Sequence, residues 1–135
     1  MKKLIIGLTV AVSGVLAGAN VASAAAPPEW DHVEAWVTPY DGMRGDIYWS
    51  DYRHGSGTIG VYNNLNDNSC VALYDRIQVG GSYGGWRWVG SVCTRSYYPF
   101  PVSRSSSSNI QNWQFKVVHA DRNIAAYDTN QPGGA

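Results

Sequence analysis

The chain has 135 residues, with Lys and Arg totalling 10, Asp and Glu totalling 10, and a formal net charge of +0 at pH 7. That length sets one domain with a modest core. That balance gives neither the basic face a nucleic-acid binder needs nor a charge that would hold the chain on an anionic membrane.

Met1-Lys2-Lys3 is basic, Leu4 to Gly18 is apolar and uncharged, and Ala22-Ser23-Ala24 has the small-x-small form of a cleavage site. Residues 1–24 therefore read as a secretory signal peptide. The apolar run is shorter than the about 20 residues a membrane span needs, so the mature chain is expected to be secreted and free of the membrane. Cleavage removes Lys2 and Lys3 and leaves Lys116 as the one lysine among arginines. Six Trp and nine Tyr stand against two Phe. Such residues suit half-exposed positions as well as cores, because each carries a polar handle.

Residues 25–32 read as an extended leader, since Pro27 and Pro28 exclude helix. Val33 to Thr38 alternates Val33, Ala35 and Val37 with Glu34, Trp36 and Thr38, the pattern of a half-buried strand. Asp41-Gly42 marks a turn, Asp46 to Tyr52 a strand, and Arg53 to Gly57 a loop. Thr58 to Tyr62 is short and β-rich, and 63–68 is a polar loop. Thr94 to Pro101 is aromatic and bounded by proline, so at best an edge strand or an ordered loop. Residues 103–108 read as a flexible serine-rich loop. Ile110 to His119 is the longest strand, with Trp113, Phe115 and Val117 on one face and Asn112, Gln114 and Lys116 on the other. Ile124 to Tyr127 is the last strand, and 128–135 reads as a disordered tail. No window after the signal has helical periodicity. The expectation is one all-β domain over 33–127, an antiparallel sandwich of about seven strands with one disulfide.

Cys70 and Cys93 are the only cysteines, and export favours their pairing. If they lie opposite each other in a hairpin, Val71 meets Val92, Leu73 meets Gly90, Asp75 meets Trp88 and Arg76 meets Arg87. That register puts Trp86 and Trp88 inside and Tyr74, Arg76 and Arg87 outside, with the reversal at 80–83. Asp75 is then a misfit on the inner face. Either the Trp88 indole bonds it, or a bulge turns it outward. A bridge between two sheets is the other arrangement the cysteines allow. The Gly-rich turn brings Tyr83, Trp86, Arg87 and Trp88 together, residue types that dominate binding hot spots.

Other chemistry has little to stand on. His32, His54 and His119 lack zinc-ligand spacing, and there is no C-x-x-C pair. No nucleophile elbow occurs, and both cysteines are taken by the bridge. Asn64, Asn66, Asn68 and Asp75 echo a calcium loop, but Ser69 stands where such a loop needs glycine, so the run reads as an Asn-rich turn. No cofactor and no metal are expected.

Ser69 to Tyr74 (S-C-V-A-L-Y), followed by Trp86-Arg87-Trp88 before the next cysteine, resembles the proteinaceous α-amylase inhibitors of the tendamistat type. The resemblance implies a small secreted bacterial β-sandwich that presents Trp86, Arg87 and Trp88 from a hairpin to the enzyme's cleft. That family carries a second disulfide, has tyrosine at the triplet's third position, and places the triplet nearer the first cysteine. The expected function is a secreted, monomeric, non-catalytic binding protein, in one form an enzyme inhibitor. Its partner would be an extracellular protein, or alternatively a polysaccharide or cell-wall glycan. A small secreted hydrolase is the third reading. The binding candidates are Tyr74, Arg76, Tyr83, Trp86, Arg87 and Trp88.

Overall fold

The computed structural model describes residues 28–133. The predicted signal peptide lies outside the described residues. The described residues are all-β, with nine strands rather than about seven: β1 (Glu29–Trp36), β2 (Gly42–Asp51), β3 (His54–Asn63), β4 (Val71–Val79), β5 (Ser82–Tyr83), β6 (Arg87–Val92), β7 (Ser96–Ser105), β8 (Ile110–His119) and β9 (Ile124–Asn130). All pairings are antiparallel. One sheet has the order β1-β2-β3-β7; the other runs β5-β4-β8-β9, with β6 also on β4. The first sheet is called A below and the second B.

The boundaries differ from expectation where proline and serine misled. β1 begins directly after Pro28, inside the expected leader, because a proline ahead of the first paired residue does not disturb a ladder. β7 runs through Ser105, so the first serines of the expected loop are strand. It is an edge strand and keeps Pro99 and Pro101, which have no N–H to offer an incoming chain. β9 extends to Asn130, into the expected tail, and Asn130 Nδ2 donates to the His32 carbonyl at 3.1 Å. β8 has the predicted limits, and its inner residues Trp113, Phe115 and Val117 are fully buried.

The core lies between the sheets: Val33, Met43, Ile47, Trp49, Ile59 and Val61 from sheet A meet Val71, Leu73, Trp113, Phe115 and Val117 from sheet B. Trp49 and Trp113 meet edge to face at 5.7 Å between centroids, a favoured geometry for aromatic rings. The Cys70–Cys93 bridge closes the base of the β4–β6 pair with the Cα atoms 3.9 Å apart, so it lies within sheet B and does not link the sheets. Beside it, His119 is wholly buried. Its Nε2 lies 2.7 Å from Ser69 Oγ and 3.2 Å from Asp41 Oδ2, which ties the β8 end to the turns after β1 and β3.

The β4 hairpin departs from the predicted register. Val71, Ala72 and Leu73 pair with Val92, Ser91 and Gly90 as expected, but Tyr74 pairs with Trp88 and Asp75 with Arg87. Val89 is the extra residue of a bulge, which turns Arg87 and Trp88, the β6 residues before it, to the opposite faces from those expected. A second slip precedes the turn, where Gln78 pairs with Tyr83 and Val79 with Ser82 across Gly80 and Gly81. Both glycines have positive φ, 62° and 82°, the conformation a two-residue hairpin turn requires.

Asp75 gives the physical reason for the first slip. Its side chain is fully buried between the sheets. Arg87 clamps it with Nε at 2.9 Å and Nη2 at 2.7 Å, Arg104 of β7 adds Nη2 at 2.8 Å, and Trp113 Nε1 donates at 3.1 Å. A buried carboxylate is tolerated only when it is paired and hydrogen-bonded, and the predicted register would have placed Trp88 there instead of Arg87. Removing one partner of such a buried pair typically costs about 3–5 kcal/mol. Asp75→Asn is therefore expected to lower unfolding stability by about that amount in urea. An unchanged midpoint would show that the carboxylate does not hold the sheets together.

Candidate functional site

Antiparallel pairing aligns the outward residues of sheet B in rows. One row runs Trp88 (β6), Tyr74 (β4), Lys116 (β8) and Tyr127 (β9); the next runs Arg76, Gln114 and Thr129. At about 4.8 Å per strand the first row spans about 14 Å. Trp88 and Tyr127, at its ends, are 59% and 56% exposed. Trp86, on the short link between β5 and β6, folds over this face with its ring 5.9 Å from that of Tyr127.

The two cations of the face lie on its rings. The Arg76 guanidinium is 4.4 Å from the Tyr83 centroid and 4.3 Å from that of Trp86. Lys116 Nζ is 4.3 Å from the Trp86 ring and 5.3 Å from Tyr74. Such contacts hold a cation by the negative face of the ring. Arg76 Nε also donates to Gln114 Oε1 at 2.7 Å, and Asn112 Nδ2 donates to the Tyr83 hydroxyl at 2.8 Å. No Asp or Glu stands among the outward residues of these rows. The result is a preformed, positively charged aromatic surface.

Of the six predicted residues, Tyr74, Arg76, Tyr83, Trp86 and Trp88 meet on this face. Trp86 and Trp88 were expected inside and lie on the outer face; Arg87 was expected outside and turns in to Asp75. The Trp88 and Arg87 reversals follow from the Val89 bulge, and Trp86 lies on the link before β6. Lys116, Gln114 and Tyr127 were missed as members. Their strand alternation was legible, with Lys116 and Gln114 on one side of Ile110–His119, but a sequence does not show which strand lies beside β4.

Each histidine meets a carboxylate, so each is a place to look for acid–base chemistry. His119 contacts Ser69, Asp41 and Asp67, but all three approach the same ring nitrogen, Nε2, while Nδ1 has no side-chain or backbone partner. A serine nucleophile relay needs the serine on one nitrogen and the carboxylate on the other, and Ser69 Oγ is turned to Asp67. This cluster joins turns. His54 Nδ1 is 2.7 Å from Asp51 Oδ1 at the β2–β3 turn. His32, on the outer face of sheet A, has Nε2 at 2.8 Å from Glu34 and Nδ1 at 3.0 Å from Asp46. Two surface depressions, of about 360 Å³ along β6 and β7 and about 210 Å³ beside Asp31 and Asn130, have no histidine in their walls. Among the described residues no group of three or more His, Cys, Asp or Glu is placed to hold a metal ion. In the loop before β4, Asn68 takes a left-handed turn conformation (φ 59°) and Asp67 bonds Ser69 and Arg122, as an Asn-rich turn would.

The chain matches no protein-family model, no curated protein and no solved structure. Among the described residues no helix is long and apolar enough to cross a membrane.

The carboxylate of Glu34, and after it that of Asp46, push the His32 imidazolium pKa above the ordinary value. A raised folded pKa means that this contact contributes fully below the unfolded value, about 6.5, and is lost as pH rises through the folded one. In an NMR titration His32 is expected to lose its proton above about pH 6.5, and Glu34→Gln to bring that midpoint down. A midpoint unmoved by Glu34→Gln would rule out the contact.

Proposed function

We propose that the chain is an extracellular, non-catalytic binding protein that holds an acidic patch of another extracellular protein on the outer face of sheet B. The observation that carries this reading is the pair Arg76 and Lys116, fixed over Tyr83, Trp86 and Tyr74 on a face without carboxylates. Fixing the cations beforehand lowers the ordering cost of binding, and Trp, Tyr and Arg are the side chains that anchor protein interfaces. The disulfide and the signal-like first 24 residues fit an oxidising, exported setting.

A glycan on this face has less support. A sugar stacks on free ring faces, and here Arg76 and Lys116 occupy faces of Tyr83, Trp86 and Tyr74. The α-amylase inhibitor form also has less support. Its triplet would present Arg87 to the enzyme, whereas Arg87 is committed to Asp75. An inhibitor that works through Arg76 and Lys116 remains within the proposal.

The test is an affinity capture of exported proteins on the immobilised chain, with inhibition of α-amylase measured in parallel. A partner is expected that dissociates as NaCl is raised to about 0.5 M, where screening removes exposed charge attraction beyond a few Å. Arg76→Gln and Lys116→Gln should each weaken it about tenfold, a loss of about 1.4 kcal/mol. Binding unchanged in the double variant, or inhibition that depends on Arg87 alone, would overturn the assignment of this face.

A further inference from the structure

The outer face of sheet A carries a second aromatic system of a different kind. Along β1, residues Trp30, His32, Glu34 and Trp36 point outward, and their β2 partners are Tyr48, Asp46, Arg44 and Gly42. At one end Trp30 and Tyr48 have ring centroids 5.0 Å apart. At the other, Trp36 lies 5.4 Å from Tyr62, and Tyr62 lies 4.6 Å from Tyr97. Six residues of strand separate Trp30 from Trp36, about 20 Å.

Two glycines make the second end flat. A Cβ on Gly42 would come within 2.5 Å of the Trp36 ring, and one on Gly60 within 2.3 Å of the Tyr97 ring. Both rings therefore lie down on bare backbone, which only glycine permits. Their outward faces stay open, for Trp36 is 38% exposed and Tyr97 49%. The ring contacts of Arg76 and Lys116 are with Tyr74, Tyr83 and Trp86 and involve neither Trp36 nor Tyr97. Trp36 is also held in place by its indole, which donates to Glu34 Oε2 at 2.8 Å, while Glu34 Oε1 meets His32 and His32 meets Asp46. The middle of the strip thus carries both donors and acceptors: Glu34 lies 3.9 Å from the Arg44 guanidinium, and His32 bonds both Glu34 and Asp46.

We infer that the outer face of sheet A is a binding platform for an uncharged polysaccharide, with Trp36 and Tyr97 stacking on sugar rings and the Glu34–His32–Asp46 row bonding hydroxyls. An extended polymer suits a strip with aromatics at both ends and polar groups between. A neutral, hydroxyl-rich ligand suits polar groups that are already hydrogen-bonded to one another. An acidic ligand would meet Glu34 and Asp46, and a purely apolar one would strip water from four ionisable groups. Orientation by the Glu34 bond leaves the Trp36 ring with little freedom to lose on binding. The site shares no residue with the face proposed above for a protein.

The experiment is depletion of the purified protein by insoluble cellulose, chitin, xylan and β-1,3-glucan. At least one is expected to retain the protein, with little change in about 0.5 M NaCl. Trp36→Ala and Tyr97→Ala should each reduce retention about tenfold or more, the loss expected for one aromatic stacking contact. Trp30→Ala, at the exposed far end, serves if Trp36→Ala does not give the parent's near-ultraviolet circular dichroism. Arg76→Gln and Lys116→Gln should leave retention unchanged. No retention on any of the four, retention unaffected by all three aromatic changes, or retention lost with Arg76 and Lys116 would overturn the proposal. Capture of a protein through Trp36 and Tyr97 while the glycans pass would do the same.

Discussion

A single buried carboxylate, Asp75, sets the arrangement of this sandwich. It sits on β4 facing the other sheet and receives hydrogen bonds from β6, β7 and β8 through Arg87, Arg104 and Trp113. An isolated carboxylate in that position would be intolerable. With two guanidinium groups and an indole around it, the group becomes a clamp between the sheets. The clamp also has a directional effect, since bringing Arg87 opposite Asp75 requires the Val89 bulge, and the bulge decides which way Arg87 and Trp88, the β6 residues before it, face.

Both outer faces follow from that choice. With Arg87 drawn inward, Trp88 is turned outward beside Tyr74, and the row Trp88–Tyr74–Lys116–Tyr127 is completed across four strands. Arg104, held by the same carboxylate, anchors β7 over sheet B, and β7 supplies Tyr97 to the opposite face. The two faces use similar rings in different ways. On sheet B the rings of Tyr74, Tyr83 and Trp86 hold Arg76 and Lys116. On sheet A the rings lie on glycine, and their outward faces are open. If both proposals hold, the sandwich would hold two ligands on opposite sides at once.

Much of this was legible in the sequence where information is local. Alternation of Trp113, Phe115 and Val117 gave β8 its limits, and the two cysteines fixed the first three pairs of the β4–β6 hairpin. Legibility ended at Tyr74. The bulge there brings Arg87 to Asp75, whose carboxylate is also held by Arg104 and Trp113 from distant parts of the chain, and no local pattern carries those partners. Asp75 was visible as a misfit, and a misfit charge was the correct sign that the register would change. The sheet A strip was hidden for the same reason: Trp36, Tyr62 and Tyr97 come from three strands, and only the order β1-β2-β3-β7 brings them together. Gly42 reads in the sequence only as part of a turn, whereas the rings of Trp36 and Tyr97 lie over Gly42 and Gly60.

The register of the β4–β6 pair is the point on which this account turns, and interstrand nuclear Overhauser effects report it directly. The account predicts backbone cross-peaks that pair Tyr74 with Trp88 and Asp75 with Arg87, alongside Leu73 with Gly90. Cross-peaks that pair Tyr74 with Val89 and Asp75 with Trp88 would remove the bulge, return Arg87 to the surface, and contradict the arrangement of both the clamp and the sheet B face.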